Sequence, residues 1–199
     1  ENWEIAGLGE VVELQGGFAF KSSDYIEKGI PLIRISNLTS EGTQLEECVY
    51  LPESFKKEYS EFTLESDDIL VAMSGATTGK IGLVSNEDLP ALFNQRVGRF
   101  VVKYTNRLAK MFLAQIVLTD KFKKSLLKEA PGGAQPNVSG KNIEKINLFL
   151  PPISEQKQIV DILSSVDEQI EKETSQKEKL EVLKKGLMQV LLTGKVRVK

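Results

Sequence analysis

The chain has 199 residues, 41% of them apolar and 27% charged, which suits one soluble domain plus an extension or two small domains. It contains no histidine and one cysteine. That composition excludes histidine-based nucleophile activation, histidine zinc sites and any disulfide framework within the chain. No apolar run approaches the ~20 residues that cross a bilayer, and Glu1-Asn2-Trp3-Glu4 lacks the basic start of a signal peptide, so a cytoplasmic protein without membrane contact is expected.

The net charge of −2 conceals an asymmetry. Residues 1–50 hold three basic and nine acidic side chains, whereas residues 101–150 hold nine basic and three acidic. A local basic block can follow a phosphate backbone although the whole chain is acidic, because the field near one face matters more than the total. In chain order, β-type runs occupy Ile30–Ser36, Glu47–Leu51, Ile69–Met73, Lys80–Val84, Gly98–Tyr104 and Ile146–Leu150, separated by Gly, Asn, Ser and Pro. Cys48, within the second run, reads as a small apolar filler. One helix is expected inside this β context. It is capped by Thr105 or Asn106, carries Leu108, Met111, Phe112, Ile116, Thr119, Phe122 and Leu126 at helical spacing, and ends at Pro131-Gly132-Gly133.

After Pro151-Pro152 the composition changes. From Ser154, the expected N-cap, to about Leu192 only Gly186 interrupts a run of polar helix formers, so the spacing predicts one helix ~58 Å long at 1.5 Å per residue. Ile159, Leu163, Val166 and Ile170 form a heptad stripe. Glu173 and Lys177 interrupt it, and Leu180, Leu187 and Leu191 resume it in phase. Positions mirror one another about residue 175: Ile159 with Leu191, Leu163 with Leu187, Ile170 with Leu180 and Glu173 with Lys177. Val166 departs from the pattern, since Lys184 is its mirror. An antiparallel pair of identical helices would match apolar to apolar and acid to base. The fold class expected is therefore α+β: a strand-rich domain over 1–150, then a long spacer and dimerisation helix over 151–199 in an antiparallel coiled coil.

No catalytic motif survives inspection. Gly75-Ala76-Thr77-Thr78-Gly79-Lys80-Ile81 has three residues between its glycines where a phosphate-binding loop needs four, and a strand rather than a helix follows. It reads as a glycine-rich turn, leaving an enzyme that uses a nucleotide there as the weakest hypothesis. Asp67-Asp68 reads as a turn-and-cap pair rather than a metal site. No cofactor or metal is expected.

The series Trp3…Leu8-Gly9-Glu10-Val11, Gly17-Phe18-Ala19-Phe20-Lys21-Ser22 and Gly29-Ile30-Pro31-Leu32-Ile33-Arg34-Ile35-Ser36-Asn37-Leu38 spans the first part of the chain. Asp68 to Gly75, Gly79-Lys80-Ile81-Gly82, Gly132-Gly133-Ala134-Gln135-Pro136-Asn137-Val138 and Phe149-Leu150-Pro151-Pro152-Ile153…Glu155-Gln156 complete it. Together these resemble the specificity (S) subunit of type I restriction–modification systems. The resemblance implies one target recognition domain and one long helix, a unit that occurs twice per subunit in that family. It further implies a non-catalytic, DNA-binding subunit that partners with modification (methyltransferase) and restriction subunits on double-stranded DNA. Paired helices would then set the gap between two half-sites, and a homodimer of this chain would read an inverted repeat. The competing reading is a coiled-coil protein-interaction module, or an antagonist of intact specificity subunits.

Resemblance transfers individual contacts poorly here, so side-chain chemistry selects the candidates. Arg34, Asn37, Asn94, Gln95, Arg96, Gln135 and Asn137 can form paired bonds to base edges. Lys21, Ser74, Thr78, Lys80, Lys123, Lys124 and Lys141 are candidate phosphate contacts.

Overall fold

The computed structural model describes residues 3–39, 42–129 and 137–198. Two compact units are present, Glu1–Lys157 and Gln158–Lys199. In the first unit, β2 (Val12–Gly16), β10 (Val97–Val102), β7 (Ile69–Ala72) and β8 (Ile81–Leu83) form an antiparallel sheet in that spatial order. All four residues of β7 are buried, which is why its sequence is an unbroken apolar run rather than an alternating one. A second sheet places β3 (Ile30–Ile33) between antiparallel β6 (Val49–Leu51) and parallel β9 (Leu92–Phe93). Two ribbons complete the strands: β1 (Glu4–Gly7) with β11 (Asn147–Leu150), and β4 (Leu38–Thr39) with β5 (Gly42–Thr43). Short helices α1 (Leu8–Val11), α2 (Phe55–Glu58) and α5 (Gly140–Glu144) join these elements.

The core follows from the buried faces. Ile33, Leu38, Leu70, Ala72, Phe93 and Val97 pack together, and Phe20, Ile30, Leu32, Leu51 and Leu92 form an adjoining cluster. Asp68 is a buried carboxylate held by two cations, Arg99 at 3.1 Å and Lys110 at 2.9 Å, and it also accepts the Glu65 amide at 3.0 Å. Pairing on both oxygens offsets the cost of removing that charge from water. The Asp67-Asp68 segment is thus a turn, with Asp67 at φ 62°, plus a buried ion pair invisible in sequence.

All six β-type runs contain strands, although each is shorter than expected. The first ends at Ile33 because a single 3₁₀ turn over Ile35–Asn37 follows, and Cys48 lies just before its strand. The single helix expected after Thr105 is instead two, α3 (Lys110–Leu118) and α4 (Asp120–Glu129). Thr119 leaves helical geometry between them, and its hydroxyl accepts the Phe122 amide at 3.2 Å. Neither Thr105 nor Asn106 caps α3; the Ala109 amide is taken by the side chain of Gln156, 47 positions away. The expected end at Pro131 lies outside the described residues.

The long helix α6 runs Ile153–Leu191, its 39 residues matching the sequence expectation in length. Its start differs: Ser154 lies inside the helix, and the Pro152 carbonyl accepts the amides of Glu155 and Gln156 at 2.9 and 3.0 Å. Gln156 is wholly buried. Its Oε1 accepts the Ala109 amide at 2.9 Å, while Nε2 donates to the carbonyls of Arg107 at 2.7 Å and Pro151 at 2.9 Å. One side chain therefore ties the first turn of α6 to the entry of α3. Among the described residues, none from Lys157 to Leu191 is buried. Leu163, Val166, Ile170, Leu180, Leu187 and Leu191 of the stripe are all exposed, and Ile159 is half-buried.

Candidate nucleic-acid interface

Several loops converge on Met73, at the end of β7. Its amide donates to the Arg96 carbonyl at 2.8 Å, and its own carbonyl accepts the Val138 amide at 2.7 Å. The turn that follows is built by glycine: Gly75 and Gly79 take φ of 89° and 83°, conformations that L side chains rarely adopt. Thr78 donates its hydroxyl to the Gly75 carbonyl at 2.6 Å, and Thr77 reaches the Ile35 carbonyl at 3.3 Å. The turn thereby joins the segment after β3. Between β9 and β10, Val97 closes a tight turn on Asn94 at 2.8 Å, and the Gln95 amide bonds the Phe18 carbonyl at 3.0 Å. Gly17 packs so closely that a Cβ there would lie 2.4 Å from the carbonyl oxygens of Phe93 and Asn94. One end of the four-stranded sheet thus brings together Gly17–Phe18, the 73–80 turn, the 94–96 turn and Asn137–Val138.

Of the expected base readers, Gln95, Arg96 and Asn137 present exposed side chains at this end. Arg34 is half-buried beside the 73–80 turn, with Nη2 near the Glu47 carbonyl at 3.4 Å. Among the described residues, its Nε is the one buried side-chain nitrogen or oxygen without a hydrogen-bond partner. Asn37 and Asn94, also expected as base readers, are buried. Asn37 accepts the Arg34 amide at 3.0 Å and donates to the Gln44 carbonyl at 3.0 Å, while Asn94 accepts the Arg96 amide at 3.3 Å. Both side chains build the turns beside Arg34 and Arg96. Gln135 lies outside the described residues.

The expected phosphate contacts divide similarly. Lys80 is exposed on the glycine turn, whereas the Thr78 hydroxyl is already engaged and Ser74 is half-buried. A Cβ at Gly79 would lie 3.1 Å from the Leu127 side chain, so α4 packs directly against the turn. Lys123 and Lys124 stand one helical turn earlier on α4, half-buried and exposed respectively. Lys141 is exposed on α5, and Lys21 is exposed before a 3₁₀ turn at Ser22–Asp24. Sequence reasoning missed Arg99, whose guanidinium also bonds Gln15 and the carbonyls of Thr63 and Glu61. Only its pairing with Asp68 reveals it as structural.

Burial pushes the Cys48 thiol above its ordinary pKa, and the nearby Arg34 charge offsets part of that rise. The thiol donates to the Leu32 carbonyl at 3.2 Å, consistent with an inert filler. Among the described residues no group of His, Cys, Asp or Glu could hold a metal ion, and no helix is long and apolar enough to cross a membrane.

A strand-rich domain with clustered polar loops at one sheet end, followed by a 39-residue helix, has the form of a target-recognition module. The profile of the type I restriction modification DNA specificity domain matches residues 1–182, and the chain belongs to that family. It is 38% identical over its whole length to the type I restriction enzyme MjaVIII specificity subunit of Methanocaldococcus jannaschii, covering 47% of that protein. It is 30% identical over 86% of its length to the EcoAI specificity subunit of Escherichia coli, covering 29%. The chain thus spans half or less of the length of these relatives. Among solved structures, the S subunit from M. genitalium superposes with a TM-score of 0.62 at 16% identity, over 95% of this chain and 45% of that one. A chain of a type I R-M system complex gives 0.66 at 18% identity, over 95% and 44%. These two establish likeness of fold.

Proposed function

We propose that the chain is a sequence-reading unit of a type I restriction–modification system, without catalysis of its own, that directs modification and restriction subunits to double-stranded DNA in the cytoplasm. The supporting observation is the convergence at Met73. Gln95, Arg96 and Asn137 offer base-edge chemistry there, Arg34 adds an unmatched donor, and Lys80 with Lys123 and Lys124 supplies positive charge alongside. In this reading the polar side chains select the bases and the lysines hold the backbone.

The long helix is the spacer and the dimerisation element over 151–199. Among the described residues its apolar stripe is exposed from Leu163 to Leu191, and a lone helix gains little stability in water without a packed face. An antiparallel second copy would cover Leu163 with Leu187 and Ile170 with Leu180, and would set Glu173 against Lys177. Two reading heads then face an inverted repeat separated by an unread gap. Co-purification with a modification subunit, followed by sequencing of methylated sites, tests both parts. Methylation of a gapped palindrome is the expected result; methylation of an undivided or asymmetric site would overturn the paired arrangement, and methylation without sequence preference would overturn the reading role.

A further inference from the structure

The apolar stripe of α6 does not by itself choose the direction of its partner. In a parallel pair in register, all seven apolar positions of the stripe meet their own copies, Val166 included. An antiparallel pair centred on residue 175 keeps six of the seven on apolar partners, because Val166 then faces Lys184 of the second copy. Counted by apolar layers alone, the parallel arrangement wins. The charged seam positions reverse that order. A parallel pair stacks Glu173 on Glu173, Lys177 on Lys177 and Lys184 on Lys184, whereas the antiparallel pair sets Glu173 against Lys177 on both sides of its two-fold axis. Sliding the antiparallel pair by one heptad either way sets Lys177 against Leu180 or against Val166, so the register is fixed as well.

Both charges are free to act across the seam. Gln169 Nε2 donates to Glu173 Oε1 at 2.8 Å, and Lys177 Nζ lies 3.9 Å from Glu181 with its side chain 75% exposed. These partners stand one turn away on the same helix. They steady each charge, while the carboxylate keeps acceptor positions and the ammonium keeps donors for a group on a second helix. We infer that Glu173 and Lys177 are the orientation key of α6. They select a second copy of this helix in the antiparallel sense, and the apolar residues on either side supply the affinity. The inference rests on the pairing proposed above and adds what decides its direction. Polar groups inside an apolar seam give up some stability and gain a single arrangement. Direction matters for a gapped site, because an antiparallel pair puts the two starts of α6 at opposite ends of the rod and a parallel pair puts them side by side.

Directional cross-linking of the full chain reads the key. A C48S background removes the single native cysteine. In it, L163C mixed with L187C reports antiparallel pairs and L187C alone reports parallel ones. The two L187C sites of an antiparallel pair lie about 36 Å apart at 1.5 Å per residue, too far to join. Under mild oxidation the native seam should give the mixed product and almost no L187C self-product. With E173L/K177L added, the dimer should persist and the self-product should rise about tenfold, since one Lys184 layer is then the only charge penalty on the parallel pair. An E173L/K177L seam that stays as antiparallel as the native one overturns the key and leaves the helix pairing intact. One that dissociates also overturns it, by making the charges the source of affinity. Sedimentation gives a second reading. E173K should weaken the dimer about thirtyfold and E173K/K177E should restore it, as two attractive layers turn repulsive and then attractive again. Equal affinity for E173K and the wild type overturns the key. A wild-type chain that stays monomeric at high concentration, or gives the self-product alone, overturns the antiparallel pairing and the key with it.

Discussion

Replacing Gln156 with Ala should reveal how much one side chain contributes to fastening the first turn of α6 to the entry of α3. The substitution removes three hydrogen bonds, those to the Ala109 amide and to the carbonyls of Arg107 and Pro151. At about 1 kcal/mol net per bond the direct loss is about 3 kcal/mol. The site is completely buried, so the three backbone groups left behind also lose their partners. Partial access of water to the vacated space limits that further cost, and about 3–5 kcal/mol in total is expected. For a chain of this size that corresponds to a Tm lower by about 10 °C. Urea unfolding and thermal melts followed by circular dichroism on the full chain measure it. Q156E provides an internal check: it keeps the acceptor for Ala109 but turns a carboxylate oxygen toward two carbonyls. It should be at least as destabilising at neutral pH, and less so in acid, where the protonated form can donate. A loss below about 1 kcal/mol for Q156A would refute the reasoning, since three closed bonds in a dry site cannot be worth so little.

Three further outcomes are expected. Replacing both Gln95 and Arg96 with Ala should relax sequence preference by about 1–3 kcal/mol per lost bidentate contact, measured as the affinity ratio between cognate and scrambled duplexes; an unchanged ratio would exclude that turn as a reader. Lys123→Ala combined with Lys124→Ala should weaken binding to all duplexes alike, and the slope of log K against log salt should become shallower by about 2; a loss confined to one sequence would contradict the assignment. Cys48 has a raised thiol pKa in the folded chain, so its stabilising contribution is complete below the unfolded thiol value and is lost as pH rises through the folded one. Melts should therefore decline more steeply for the wild type than for C48S above about pH 8.5, and iodoacetamide should react more slowly with the native chain than with the unfolded one. Equal slopes would show that the thiol titrates normally.

Legibility in the sequence followed the range of the interactions. Ile69–Met73 and Lys80–Val84 were readable as strands around a glycine turn because local chemistry sets both. The 39-residue helix was readable because periodicity over many turns is unambiguous. Asn37, Asn94 and Gln95 are equally polar on paper, yet Asn37 and Asn94 are buried and bonded to backbone while Gln95 is exposed. Nothing within a few residues distinguishes them, because burial is set by what packs from elsewhere in the chain.

Composition, spacing and apolar periodicity alone determined that this chain lacks histidine chemistry, that strands precede a long helix, and that the helix carries a symmetric stripe. These are one-dimensional properties, fixed by each residue and its near neighbours along the backbone. Tertiary structure decided the rest. It split one expected helix at Thr119, bound the Ala109 amide at the entry of α3 to Gln156, joined Asp68 to Arg99 and Lys110, and gathered the loops around Met73. The last three depend on groups far apart in the chain meeting at hydrogen-bond distance, and only the packed core sets that distance.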